Sequence, residues 1–172
     1  MPPIRLRPWK PDDIPQLIAI ANNPKVIQHL RDSFPSPYTE SDASFWVETA
    51  QRQEPLSDFA IEFEEKAVGS IGFRIQDDVY RKNAEIGYFI GEVYWGRGIA
   101  SQAVQQLTEY IFSRCDALRL YAGIFSSNPA SMRVLAKNGF HQECIHRAAV
   151  YKQGRWLDEH LWVKFRPGFV VF

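Results

Sequence analysis

A glycine-rich turn carries the clearest chemical signal in this sequence. It reads Gly96-Arg97-Gly98-Ile99-Ala100-Ser101 and lies between a predicted strand and a predicted helix. The first N–H groups of a helix lack intrahelical partners and lie at the positive end of its dipole, so they can bind an anion. Glycines let the backbone approach that anion closely. The turn therefore predicts a phosphate site, and a plain loop with two glycines is the alternative.

Two common phosphate motifs do not fit this turn. A P-loop places Lys and then Ser or Thr after its last glycine, whereas Ile99-Ala100 follows here. The dinucleotide fingerprint is nearly met, with Ser101 in its last place, but it also needs an acid at the end of the next strand. Asp116 has about the right spacing but precedes that strand. The turn alone therefore leaves its ligand open.

The elements around the turn predict a meander followed by a βαβ unit. Alternating or apolar runs predict strands at 4–8, 59–63, 68–75, 84–90, 118–124, 140–147 and 156–164. Helices are predicted from Pro11 to about Asn22 and from Asn128 to Lys137, where Gly139 ends the second of them. Another helix begins at Thr39, which is its N-cap and has Asp42 as capping partner. The helix after the glycine turn has a predicted buried face formed by Val104, Leu107, Thr108 and Ile111. This order predicts an α+β (mixed α/β) fold.

Composition excludes several classes of protein. The chain has 172 residues, 45% of them hydrophobic, which suits one domain over 1–172 with a core at about 4–164 and a C-terminal tail at 165–172. Twenty basic residues balance 20 acidic ones, so binding to nucleic acid or to an anionic membrane is not expected. Two cysteines build no disulfide scaffold, and no signal peptide or membrane span is visible, so we expect a cytoplasmic protein.

A second motif follows the glycine turn in the sequence. It consists of Asn128-Pro129-Ala130-Ser131 and, further on, Asn138-Gly139-Phe140, and the two motifs together are more specific than either alone. With the strand Ala84-Glu85-Ile86-Gly87-Tyr88, the sequence resembles the GNAT superfamily of acetyl-CoA-dependent N-acetyltransferases over about 4–164. Within it, the sequence looks most like the ribosomal-protein N-terminal acetyltransferases. The resemblance implies a central, mostly antiparallel, twisted sheet with helices on both faces, and it is consistent with a homodimer.

The resemblance implies acetyl-CoA as cosubstrate and assigns residues to it. The family pattern Gln/Arg-x-x-Gly-x-Gly/Ala falls on Trp95 to Ala100, with Trp95 departing from the first position. Backbone amides of the turn are expected to hold the pyrophosphate, and Arg97 either adds charge or is a solvated surface residue. The backbone of Phe89 to Val93 is expected to pair with the pantetheine arm as if that arm were an extra strand. Asn128 is expected to bond that arm, to cap its helix, or both. The cofactor-binding prediction comprises Phe89, Ile90, Val93, Gly96, Arg97, Gly98, Ile99, Ala100, Ser101 and Asn128.

The resemblance also assigns catalytic residues. A protonated amine must lose a proton before it attacks a thioester, and Glu85 matches the family's base position. A salt bridge from Glu85 to Arg74 or Arg81 is the alternative. The tyrosine that protonates the leaving thiolate in much of the superfamily is replaced by Leu135. Ser131 takes a comparable place, with a packing role or a pyrophosphate contact as its alternatives.

Four aromatic residues are candidates for the acceptor pocket by the same resemblance, with core packing as the alternative for each: Phe34, Tyr38, Tyr151 and Trp156. No metal is expected, because the four histidines show no metal spacing and are interpreted as structural or surface residues. The acceptor amine stays open between a protein N-terminus, a polyamine, an amino sugar and an antibiotic. An acyl-CoA-binding module with little catalysis, suggested by Leu135, is the alternative of a different class.

Overall fold

A computed structural model describes residues 3–170 of the chain. Within this range the strands are β1 (Arg5–Arg7), β2 (Asp58–Phe63), β3 (Lys66–Ile75), β4 (Asn83–Ile90), β5 (Arg119–Phe125), β6 (His141–Lys152) and β7 (Arg155–Phe165). The α-helices are α1 (Ile14–Ala21), α2 (Pro24–Ile27), α3 (Glu40–Gln51), α4 (Ile99–Arg114) and α5 (Pro129–Lys137). No helix in the described range is long and apolar enough to cross a bilayer.

The strands form one mixed sheet in the order β1-β2-β3-β4-β5-β7-β6. The pairs β1–β2, β2–β3, β5–β7 and β6–β7 are antiparallel, whereas β4 and β5 are parallel. A parallel pair needs a long crossover, which α4 supplies between β4 and β5. The predicted fold class, a mixed and mostly antiparallel sheet combined with helices, is confirmed.

The described residues divide into two compact units. The first comprises the described residues up to Gly72 together with Tyr88–Ala103, and the second comprises Phe73–Gly87 and the described residues from Val104 onwards. Strands β3 and β4 and helix α4 each contribute residues to both units. The prediction of one domain over 1–172 includes positions 1, 2, 171 and 172, which lie outside the described residues.

The first unit has an apolar core formed by its helices and by β2 and β3. The buried members of this core are Trp9, Leu17, Ala21, Tyr38, Ala43, Val47, Ala50, Ala60 and Ala67. Helix α3 begins as predicted, because the Thr39 hydroxyl accepts from the Asp42 amide while the Asp42 carboxylate accepts from the Thr39 amide. In the second unit, the predicted face of α4, namely Val104, Leu107, Thr108 and Ile111, is buried.

The first helical segment differs from its prediction. Pro11–Asp13 form a 3-10 turn, and α-helix runs only over Ile14–Ala21. Pro15 has no N–H to donate to the carbonyl four residues earlier, so regular α-helical bonding begins after it. The short helix Pro24–Ile27 was not predicted, although Asn23 caps it and Pro24 occupies its first position.

Candidate functional site

The predicted phosphate turn has two glycines with positive φ directly before helix α4. Gly96 and Gly98 have φ values of +75° and +69°, a region that side chains with a Cβ rarely adopt. Helix α4 begins at Ile99, and its first α-helical bond runs from the Gln102 N–H to the Gly98 carbonyl at 3.2 Å. The amides of Ile99 and Ala100 therefore have no acceptor within the helix and lie at the positive end of its dipole.

Trp95 supports this turn from its first position. Its indole N–H donates to the Ile90 carbonyl at 2.8 Å, which ties the turn to the end of β4. In the sequence analysis, Trp95 was noted only as a departure from the first position of the family pattern. This hydrogen bond gives Trp95 a structural role, and no pattern in the local sequence signalled it.

The segment between β4 and the turn is held by polar contacts within the first unit. The Gly91 N–H donates to the Val68 carbonyl at 2.9 Å. The Asn23 amide donates to Glu92 at 2.8 Å, and Lys25 forms an ion pair with the same carboxylate. The hydrogen bonds from Lys25 and Asn23 lower the pKa of Glu92, so this carboxylate stays ionised.

The residues predicted to bind the cosubstrate differ in exposure. Ile90 and Ile99 are buried, whereas Val93 and Arg97 are exposed. The Arg97 guanidinium lies 5.8 Å from the Tyr94 ring centroid, within the range of a cation–π contact. Gly96 is also exposed, and the remaining members are half-buried: Phe89, Gly98, Ala100, Ser101 and Asn128.

Two predicted acceptor residues meet in the first unit. Phe34 stacks on Tyr38 with ring centroids 5.0 Å apart and meets Phe89 edge-on at 5.7 Å. Tyr38 is buried in the core, and burial, with the nearby Asp42 charge, raises its pKa to about 12. Phe34 is half-buried beside it. The structure thus gives Tyr38 the packing role that the sequence analysis held as its alternative.

Glu85 lies on β4 in the second unit and is half-buried. Its neighbours Ala84 and Ile86 are buried on the opposite face, as the alternation of the strand predicts. In the parallel pairing of β4 with β5, Glu85 is the register partner of Tyr121, so the two side chains leave the sheet on the same face. The carboxylate is therefore on the less buried face of this strand.

Asn128 and Ser131 come together at the start of α5. The Asn128 side-chain oxygen accepts the Ser131 N–H at 3.1 Å, which is an N-cap. The capping role held as one option for Asn128 is therefore observed. Leu135, further along α5, is fully buried, so this position faces the protein interior.

The last hairpin presents the other two predicted acceptor residues. Tyr151 and Trp156 face each other at its tip, with ring centroids 4.9 Å apart, and both are exposed. Below the tip, Asp158 accepts from the Ala148 N–H at 2.9 Å and from Arg147 at 2.6 Å. These two bonds lower the pKa of Asp158 and hold a bend at which Ala148 has a φ of +47°.

The geometry agrees with the comparison to known families. The profile of the acetyltransferase (GNAT) domain matches residues 4–141, about four-fifths of the chain. The chain belongs to the GNAT acetyltransferase family. Within the described residues, no group of three or more His, Cys, Asp or Glu side chains is arranged to hold a metal ion.

Individual relatives place this GNAT chain near N-acetyltransferases of bacteria. It is 35% identical over 100 residues to the uncharacterized N-acetyltransferase YoaA of Bacillus subtilis, covering 58% of this chain and 56% of that protein. It is 31% identical over 106 residues to the ribosomal-protein-serine acetyltransferase of Escherichia coli, covering 62% and 59%. The matched region thus spans little more than half of either relative.

A solved structure shows the same fold over nearly the whole GNAT chain. RimL, a ribosomal L7/L12 α-N-protein acetyltransferase solved with coenzyme A, superposes with a TM-score of 0.81 at 23% identity. The superposition covers 94% of this chain and 93% of that one. The architecture is therefore shared beyond residue 141, where the profile match ends.

Proposed function

We propose that this GNAT protein is an N-acetyltransferase that moves the acetyl group of acetyl-CoA directly to a primary amine while both are bound. The observation that supports the proposal is the turn at Gly96 and Gly98 in a chain of this family. The two glycines have positive φ angles, and the amides of Ile99 and Ala100 that follow have no acceptor within helix α4. RimL, which shares the fold, was solved with coenzyme A. The amine is a protein N-terminus or a small molecule, and the relationship to the E. coli enzyme favours the former.

Three features of the turn support the proposal that it binds a pyrophosphate. The amides of Ile99 and Ala100 supply donors at the positive end of a 16-residue helix. No side chain at Gly96 or Gly98 limits the approach of a phosphate. Arg97 is exposed in the same turn and adds positive charge. These residues would hold the cosubstrate by its phosphates, and the thioester would supply the activated acetyl group.

Glu85 is the residue that we propose as general base. A lysine-like amine has a pKa near 10.4 and a protein N-terminus one of about 7.7–8.0, so a protonated amine must lose a proton before its nitrogen can attack the thioester carbon. Glu85 would accept that proton, directly or through a water molecule. The nitrogen then forms the amide bond while the bond from carbon to the CoA sulfur breaks. Ser131, at the start of α5, is the proposed donor to the departing thiolate.

Weak acid assistance is sufficient for this leaving group. A thiol has a pKa near 8.5, so its thiolate leaves without full protonation. Leu135 is fully buried where much of the superfamily has tyrosine, and it has no proton to give. The mechanism therefore does not depend on a strong acid at α5.

Calorimetric titration tests the proposal first, with acetyl-CoA and NAD titrated separately. We expect micromolar binding of acetyl-CoA and no heat from NAD. A screen of peptides, polyamines and aminoglycosides, read by release of free thiol, then identifies the amine. Binding of acetyl-CoA without thiol release for any amine would indicate an acyl-CoA-binding module. No binding of acetyl-CoA would overturn the proposal.

A further inference from the structure

A chain of three polar side chains crosses the last hairpin and includes none of the residues assigned above. Cys144 Sγ lies 3.3 Å from His146 Nε2, and His146 Nδ1 lies 3.1 Å from Glu159 Oε2. All three residues lie beyond residue 141, where the match to the family profile ends. The sequence analysis interpreted the histidines as structural or surface residues and concluded of the cysteines only that they build no disulfide scaffold, so this arrangement was not predicted.

A β-bulge builds this arrangement. The register between β6 and β7 shifts between Gln142 and Cys144, so that Cys144 lies opposite Leu161 and His146 lies opposite Glu159. Residues directly opposite each other in an antiparallel pair share a face, so the shift brings Cys144 and His146 to the face of Glu159. Bulges commonly re-aim side chains beside active sites.

A glycine on the neighbouring strand makes room for the carboxylate. A Cβ atom at Gly123 of β5 would lie 2.5 Å from Glu159 Oε1 and 2.8 Å from its Cδ atom. Any larger residue would displace Glu159 from its position beside His146. The bulge and Gly123 are thus two independent features of the fold that place the same carboxylate and imidazole together.

The geometry points to Cys144 as a nucleophilic thiol that accepts an acyl group from a thioester. Glu159 accepts the Nδ1–H of His146 and so leaves Nε2 as the acceptor for the thiol proton. The Cys144 sulfur then forms a bond to the carbonyl carbon of the thioester, and the bond from that carbon to the donor's sulfur breaks. The proton held on His146 passes to the departing thiolate. The products are an acetyl thioester on Cys144 and a free thiol, with no change of oxidation state.

Cys144 is accessible enough for this reaction. It is half-buried, and the side chain of His146 is 49% exposed, whereas that of Glu159 is 25% exposed. These exposures suit the roles, because the thiol and the imidazole must meet a reagent and the positioning carboxylate must be held by its neighbours.

The other cysteine of the chain, Cys115, serves as an internal control for the reactivity of Cys144. Cys115 follows the end of α4 and is also half-buried. Burial raises the pKa of its thiol, which outweighs the opposing charge of Arg166. Since the thiolate is the nucleophile, Cys115 should react slowly at neutral pH.

The inference rests on the proposed function only for the natural donor, acetyl-CoA, so its test uses phenyl thioacetate, a small neutral thioester that needs no CoA site. The intact protein is incubated with it, and acetylation of each cysteine is followed by peptide mass mapping. We expect Cys144 to react at least about tenfold faster than Cys115. Equal rates would overturn the inference, whether or not the protein acetylates amines.

Histidine variants then test the relay. His146→Asn should slow acetylation of Cys144 about tenfold and leave the Cys115 rate unchanged, which also reports an intact fold. His160→Asn is the matched control, because His160 pairs with Ile145 on the opposite face of the same hairpin. An unchanged Cys144 rate in His146→Asn, or an equal loss in His160→Asn, would contradict the inference.

Glu159 is a positioning residue and needs a readout of its own. Glu159→Gln should shift the His146 ring from its Nδ1–H form towards its Nε2–H form, which nitrogen NMR of the ring detects, and should slow Cys144 in parallel. A slower Cys144 with an unchanged ring tautomer would show that Glu159 only supports the hairpin and would overturn its assigned part.

Discussion

Glu85 lies half-buried on the less buried face of β4, beside its register partner Tyr121. Its proposed task is proton transfer, so Glu85→Gln should lower the turnover number about a hundredfold, within the usual range for a general base. Affinity for acetyl-CoA should stay within about twofold, because the cosubstrate is assigned to the turn and not to this carboxylate. Thiol release and calorimetry measure the two quantities.

Glu109→Gln is the matched control for this experiment. Glu109 is an exposed glutamate on α4 that accepts a hydrogen bond from Gln105 at 3.1 Å. Its substitution removes the same charge from the chain and should leave turnover unchanged. Full activity in Glu85→Gln would remove Glu85 from the mechanism and leave the acetyl-CoA site unaffected.

A substitution at Leu135 tests whether this position can accept the tyrosine that much of the superfamily has there. This leucine is fully buried on α5, so Leu135→Tyr forces a larger polar side chain into packed space. We expect the free energy of unfolding to fall by about 2 kcal/mol, as overpacking typically costs, and thiol release not to increase. Urea denaturation measures the former. Leu135→Met, which keeps the volume, should cost less. Faster thiol release in a stable Leu135→Tyr protein would contradict this interpretation of the position.

At the scale of elements, an ion network joins β1 to the turn before α1. Arg7 donates to both carboxylate oxygens of Asp13, at 2.6 and 2.8 Å, and also pairs with Glu62 of β2. Arg7 and Asp13 are both buried. A buried pair that loses one partner leaves an uncompensated charge, which typically costs 3–5 kcal/mol. Arg7 would keep its ion pair with Glu62, so we expect the lower end of this range. Asp13→Asn should lower the free energy of unfolding by about 3 kcal/mol at neutral pH.

The same network predicts a pH dependence. Burial alone would raise the pKa of Asp13, but bonds from Arg7 and the Lys10 amide outweigh it and lower the pKa. A lowered pKa in the folded state gives stability that is present above the unfolded value of about 3.9 and is lost as pH falls through the folded value. The difference between wild type and Asp13→Asn should therefore shrink below about pH 4. Asp12→Asn, an exposed neighbour in the same turn, should change little at any pH.

Features that depend on a few consecutive residues could be predicted from the sequence. Features that depend on residues distant in the sequence could not. The capping box at Thr39 and the glycine after α5 are properties of a few consecutive residues, and both are found as predicted. The predicted strands 140–147 and 156–164 extend to His141–Lys152 and Arg155–Phe165. Two register shifts let β6 follow β7 for that length, and bulges depend on the partner strand.

The same division applies to the candidate site. The glycine turn and the Asn128 cap follow from local sequence, and the structure shows both. The bond from Trp95 to Ile90 and the approach of Glu159 to His146 depend on backbone bends and strand pairing, which no local pattern specifies. The buried state of Tyr38 likewise follows from packing with residues distant in sequence.

At the scale of the whole molecule, equal numbers of acidic and basic residues leave no net charge to attract an anionic cosubstrate. Binding must therefore depend on local donors, and bound ligand stabilises the folded state by mass action. At about 100 times its dissociation constant, CoA should add about 2.7 kcal/mol to the free energy of unfolding. For a chain of this size, that raises the melting temperature by roughly 5–10 °C, which differential scanning calorimetry measures.

Glycine variants identify the source of that shift. Gly98 and Gly168 both have positive φ, +69° and +80°, so an alanine is strained at either position. Gly98→Ala and Gly168→Ala should both lower the melting temperature without ligand. Only Gly98→Ala should also lose most of the rise produced by CoA, because only Gly98 belongs to the turn that opens α4. If Gly98→Ala kept the full rise, the CoA phosphates would bind elsewhere, and the argument from the turn to the cosubstrate would fail.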